Sequence, residues 1–136
     1  EPSRGLGDVY KRQGRYKMGL DKVVIVGQNP SGAEKPKKND TIDRLLNWCT
    51  AWGLTNFEFM NCSDDVGEKY TIDFDKLVKC EEANKVIALG NVASDSLRKV
   101  NVEHFKMPHP SPRNRQLNDK QFEKTMIRKC YNYLQG

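Results

Sequence analysis

Two short segments, far apart in this 136-residue chain, carry the residue types best suited to chemistry. One is Gly27-Gln28-Asn29-Pro30-Ser31-Gly32; the other is His109-Pro110-Ser111-Pro112-Arg113-Asn114-Arg115. Asn-Pro and Ser-Gly are ordinary turn dipeptides. The first segment therefore reads either as a plain strand-to-loop turn or as a rigid loop that offers an amide to a ligand. A phosphate-binding glycine loop is disfavoured, because Gly-x-Gly-x-x-Gly and the Walker pattern are both absent. In the second segment Pro108 and Pro110 fix the backbone around His109, and the donors Ser111, Arg113, Asn114 and Arg115 follow. It reads either as a rigid basic surface turn or as an imidazole set among anion-binding groups. The other histidine, His104, lies within a strand pattern and reads as packed or exposed without a role. A serine or cysteine nucleophile fits poorly. There is no Gly-x-Ser-x-Gly elbow, and no cysteine neighbours a histidine in sequence. Asn61 carries both a donor and an acceptor at the end of a strand pattern, and from its position alone it reads as a strand-end cap or as a polar group open to a ligand.

The elements that must position these residues follow from hydrophobic patterning. Val23-Val24-Ile25-Val26 is a β-branched run, the signature of a strand covered on both faces. Asn29, Pro30 and Gly32 break it, and Ala33 to Asn39 reads as a lysine-rich surface loop. Asp40 or Thr41 can cap a helix with Ile42, Leu45, Leu46, Cys49 and Trp52 inward, ended by Gly53. Phe57 to Cys62 is a second strand, and a helix covers Phe74 to Ala83. Val86 to Leu89 is a third strand, followed by a helix from about Asn91 with Ala93, Leu97 and Val100 inward. His104 to Met107 is a short fourth strand. A last helix runs from about Asn118 to Leu134, its stripe made of Phe122, Met126, Ile127, Cys130 and Leu134. Alternating strands and helices predict an α/β fold: a three-layer α/β/α sandwich around a four-stranded parallel sheet. Ligands bind such sheets at the carboxyl ends of the strands. Asn29, Asn61, Asn91 and His109 all follow predicted strands and should gather at that edge.

Length bounds the chain to one domain. No apolar run approaches the roughly 20 residues of a membrane span. The net charge of +5 suits a polyanionic partner without requiring one. Cys49, Cys62, Cys80 and Cys130 are widely spaced with no Cys-x-x-Cys pair. They read as buried, reduced thiols of a cytoplasmic protein rather than as metal ligands. Ser3 to Gln13 (SRGLGDVYKRQ) resembles a transposase-type sequencing adapter translated in frame. Residues 1–17 are therefore expected to be a non-native or disordered segment, with a natural start at Met18 and a single domain over 18–136.

Gly27-Gln28-Asn29-Pro30 resembles the first motif of the uracil-DNA glycosylase superfamily, Gly-Gln-Asp-Pro. Asn stands in place of Asp, as in the mismatch-specific and single-strand-selective branches. His109-Pro110-Ser111-Pro112-Arg113-Asn114 is similar to the second motif, most closely that of the single-strand-selective branch. Phe59-Met60-Asn61 resembles the strand end that supplies the family's base-reading Asn. The resemblance covers roughly residues 22 to 134.

It implies a monofunctional DNA glycosylase. Such an enzyme hydrolyses the N-glycosidic bond of a flipped uracil-like or modified pyrimidine and leaves an abasic site. Asn29 and His109 would be catalytic, with Asn29 orienting the water and His109 donating to the departing base. Gln28 and Asn61 would bind the base. Ser31, Ser111, Arg113 and Arg115 would contact DNA, and Leu117 would be the wedge that fills the vacated stack. Lys35, Lys37 and Lys38 read as a solvated loop that could track the backbone. No metal or other cofactor is implied, and the expected state is a cytoplasmic monomer with DNA as partner, in repair or antiviral defence. No lysine in either motif suggests Schiff-base lyase chemistry. Many relatives carry an aromatic residue after the first motif, and Ala33 to Asp40 contains none. That departure points to a wider pocket admitting an enlarged pyrimidine, such as the hypermodified bases of viral DNA. A catalytically weak DNA-binding domain on the same scaffold and a nucleotide-handling α/β hydrolase are the competing readings.

Overall fold

The structure, a computed structural model, describes residues 22–30 and 40–136. Its strands are β1 (Val23–Gly27), β2 (Glu58–Asn61), β3 (Lys85–Leu89) and β4 (Phe105–Met107). Its helices are α1 (Asp40–Trp52), α2 (Phe74–Val78), α3 (Gly90–Lys99) and α4 (Lys120–Gln135), with 3-10 turns at Lys79–Glu82 and Arg115–Asn118. The four strands pair in parallel in the order β2-β1-β3-β4. The three-layer α/β/α sandwich expected from the alternation is the fold found.

The period-two alternation of a strand divides β1 and β3 between two cores. On one face Val23, Ile25, Ile87 and Leu89 meet Leu45, Trp48, Cys49 and Trp52 of α1 and Cys130 and Leu134 of α4. On the other face Val24, Val26, Val86 and Ala88 meet Leu77 of α2 and Ala93 and Leu97 of α3. Two indole bonds tie α1 to α4: Trp48 Nε1 donates to Glu123 at 2.8 Å and Trp52 Nε1 to the Ile127 carbonyl at 3.0 Å.

The inward stripe of α1 differs from the expected one. Ile42 and Leu46 are 43% and 49% exposed, whereas Trp48 is buried at 1%. The helix turns its Leu45, Trp48, Cys49 and Trp52 side to the sheet, because an indole buried there both fills volume and finds a carboxylate for its N–H. The described part of α1 begins at Asp40, an acidic residue of its first turn. In α4 the expected stripe is found, with Asp119 as the cap accepting from Gln121 and Phe122 N–H groups.

All four cysteines are buried and unpaired. Burial raises each thiol above its ordinary value, with Cys49 pushed up to about 11. None is therefore suited to be a thiolate nucleophile. No helix among the described residues is long and apolar enough to cross a membrane. The adapter-like segment, Ser31 and the lysine-rich loop lie outside the described residues.

Candidate active site at the carboxyl edge of the sheet

Parallel strands deliver their carboxyl ends to one edge. Register pairs Gly27 with Asn61, Val26 with Ala88 and Leu89 with Met107. Asn29 and His109 each lie two residues beyond the ends of β1 and β4, and Asn61 is the last residue of β2. The fold thus brings Asn29, Asn61 and His109 to the same edge. Only β3 separates β1 from β4, which leaves two strand spacings of about 4.8 Å each between them.

Two glycines shape this edge. A methyl group on Gly27 would lie 2.7 Å from Asn61 Oδ1 and 3.0 Å from the ring of Phe59, so only hydrogen fits there. Gly90, at φ +91°, opens α3 at the end of β3, and a methyl on it would lie 3.2 Å from His109 Cβ. That φ disfavours any L side chain. The two glycines therefore let Asn61 and His109 close in on the sheet end.

His109 is held by its own turn. Ser111 N–H donates to His109 Nδ1 at 3.1 Å. Asn114 Nδ2 donates to the His109 carbonyl at 2.9 Å, while Asn114 Oδ1 accepts from Gln116 N–H at 3.1 Å. An Nδ1 that accepts a bond carries no proton, so the neutral ring bears its hydrogen on Nε2. Burial lowers the His109 pKa from its ordinary value, which favours this neutral form. The result is a fixed imidazole whose remaining donor, Nε2–H, has no hydrogen-bond partner among the described residues.

Asn29 is held as firmly. Its Nδ2 donates to the carbonyls of Gly67 at 2.6 Å and Asp65 at 3.0 Å, and lies 3.3 Å from that of Pro30. Among the described residues nothing donates to its Oδ1. That oxygen is thus the part of Asn29 able to accept from a water or ligand. Asn61 is half-buried, and its amide has no hydrogen-bond partner among the described residues. Gln28 uses its carbonyl to accept from Ser63 N–H at 3.2 Å, and its side chain is half-buried.

The arginines sit on the rim. Arg113 and Arg115 are exposed, and among the described residues neither meets a carboxylate. Ser111 Oγ accepts from Arg113 N–H at 3.1 Å and keeps its own proton for a further acceptor. Asn114, by contrast, uses its amide inside the turn.

One expected site residue is misplaced. Leu117 is 1% exposed in the 3-10 turn and packs in the core with Cys130 and Leu134 of α4. A side chain that closes the core cannot also project into a duplex, and Leu117 is corrected to a structural residue. His104, expected to lack a role, is tied down. Its Nδ1–H donates to the Val102 carbonyl at 2.9 Å, and Nε2 lies 2.7 Å from the Oγ of fully buried Ser94.

Sequence reasoning missed two features. Phe59 is 47% exposed and projects from the same side of β2 as Asn61, against Gly27. The period-two rule applied to Phe59-Met60-Asn61 would have paired them. The Ser63–Gly67 loop, which holds Asn29, leaves no sequence signal beyond its polar composition.

No curated protein and no solved structure matches the chain. A family model does, over residues 11–97. The matched stretch contains β1, Gly27 to Pro30, Asn61 and most of α3, and it stops before His109. It covers well over half of the chain, which therefore belongs to the family described as protein of unknown function (DUF1643).

Proposed function

We propose that this protein is a monofunctional DNA glycosylase that hydrolyses the N-glycosidic bond of a flipped uracil-like or modified pyrimidine, leaving an abasic site. The observation that carries the reading is the fixed tautomer of His109. Its Nδ1 is committed to Ser111 N–H, and burial favours the neutral ring, so Nε2–H is a ready donor.

The reaction breaks the bond between the sugar C1′ and the base nitrogen, and the bonding pair leaves with the base. The transition state has an oxocarbenium-like sugar and an anionic base. A donor aimed at the base oxygen stabilises charge that develops only there. Asn29 Oδ1 accepts from the attacking water and orients it toward C1′. An amide cannot take the proton as a carboxylate would, so once the water oxygen bonds to C1′ its spare proton passes to the departing base anion or to solvent, and the rate depends on activating the leaving base. Asn61 offers a donor and an acceptor to the pyrimidine edge, and Phe59 beside it offers an aromatic surface on which the extruded base can stack. Ser111, Arg113 and Arg115 contact the phosphates flanking that base. The target is reached by flipping it out of the stack, at a cost of a few kcal/mol.

Oligonucleotides carrying uracil, hydroxymethylated or glycosylated pyrimidines, single- and double-stranded, test the reading. Release of free base and alkali-labile sites is expected from at least one. Excision of uracil alone would rule out an enlarged pocket. Turnover of free nucleotides with no abasic sites would replace the reading with a nucleotide hydrolase.

A further inference from the structure

The Asn29 amide sits in a cage of backbone oxygens. Gly67, Asp65 and Pro30 carbonyls lie 2.6, 3.0 and 3.3 Å from Nδ2. Only a hydrogen-bond donor fits among three acceptors. The loop that supplies two of them is zipped onto the end of β1. Cys62 N–H donates to the Gly27 carbonyl at 2.9 Å, Ser63 N–H to that of Gln28 at 3.2 Å, and Gly67 N–H to that of Pro30 at 3.1 Å. The loop is also braced within itself. Asp65 N–H donates to Ser63 Oγ at 3.0 Å, and Asp65 Oδ2 accepts from Thr71 N–H at 2.9 Å. Ser63 is buried at 1%.

We propose that Ser63–Gly67 is a positioning clamp that demands an amide at position 29 and excludes a carboxylate there. A carboxylate in the same rotamer would press a charged oxygen against the negative ends of three carbonyl dipoles. Among the described residues nothing would donate to it. Its protonated form has one O–H and restores one bond of the cage. The exchange that naive chemistry would favour, Asn29→Asp to supply a general base, therefore releases the loop. As a catalytic device the clamp rests on the glycosylase reading; as a structural one it does not.

Amide hydrogen exchange at Gly67 reads the clamp without DNA, because its N–H is the bond that closes the loop on Pro30. At neutral pH, Asn29→Asp should lose about tenfold or more of the wild-type protection at Gly67. Protection should return on acidification, as the new carboxyl takes its proton. The midpoint should lie above the ordinary aspartate value of about 3.9. Asn29→Ala removes the donors without adding charge, and should lose protection at every pH. Wild-type protection in Asn29→Asp at neutral pH, or a loss that acid does not reverse, would overturn the proposal. Base release by the wild-type protein together with unchanged Gly67 exchange in Asn29→Asp would sink the clamp alone. Absence of base release with the predicted exchange pattern would sink only the glycosylase reading.

Discussion

His109 has one ring nitrogen occupied by a backbone N–H and the other without a partner among the described residues, and two consequences follow. On the proposed glycosylase reading, replacing it by Ala removes a donor that acts on transition-state charge. Base excision should fall about a hundred- to a thousandfold, some 3–4 kcal/mol, with DNA binding retained. The second consequence concerns stability. Burial lowers the folded-state pKa of His109 below its ordinary 6.5. As pH falls through that ordinary value, the unfolded chain binds the proton first. The contribution of His109 is thus unimpaired above pH 6.5 and declines on acidification toward the lowered folded-state value. Urea midpoints at pH 7.5 and 5.5 check this, and His109→Gln should narrow the difference between them. At the neighbouring contact, Gly90→Ala combines a left-handed φ with a methyl 3.2 Å from His109 Cβ. It should cost about 1–3 kcal/mol of stability and lower the excision rate by moving the imidazole.

At the scale of elements, Leu117 separates a wedge from a core residue. Leu117→Ala should destabilise the fold by about 2–5 kcal/mol, the usual cost of a buried leucine, seen as a lowered Tm. A wedge would lose activity with Tm unchanged. This position also marks how far the sequence could be read. Val23 to Val26 and Val86 to Leu89 announce themselves as strands covered on both sides, because burial on both faces demands unbroken apolar runs. Parallel pairing then carries Asn29, Asn61 and His109 to one edge with no further information. What stayed hidden depends on backbone geometry. The 3-10 turn at Arg115–Asn118 rotates Leu117 inward, and nothing in Arg-Gln-Leu-Asn indicates that direction. The carbonyls of Asp65 and Gly67 belong to the main chain, so no residue type reveals them as the cage around Asn29. In α1 the alternatives Ile42–Leu46 and Leu45–Trp48 both fit a helical stripe. The partner that decides between them, Glu123, lies 75 residues away from Trp48.

At the scale of the molecule, an excess of five positive charges suits a phosphate backbone but by itself assigns no surface. The exposed guanidiniums beside the His109 turn are the specific part. Neutralising either Arg113 or Arg115 to Gln should weaken DNA binding evenly across sequences. The slope of log affinity against log salt should become shallower by about one for each phosphate that no longer meets a guanidinium. Catalysis on the proposed reading depends on an amide from the end of β1 and an imidazole from the end of β4 acting on one extruded nucleotide. Single-turnover base excision by wild type, Asn29→Ala and His109→Ala, on whichever pyrimidine in the panel is released, tests this most directly. Rapid excision by wild type and near-complete loss in both variants, each still folded and still bound to DNA, is the predicted result. Excision that survives both substitutions, or a wild-type protein that releases no base from any substrate, would contradict it.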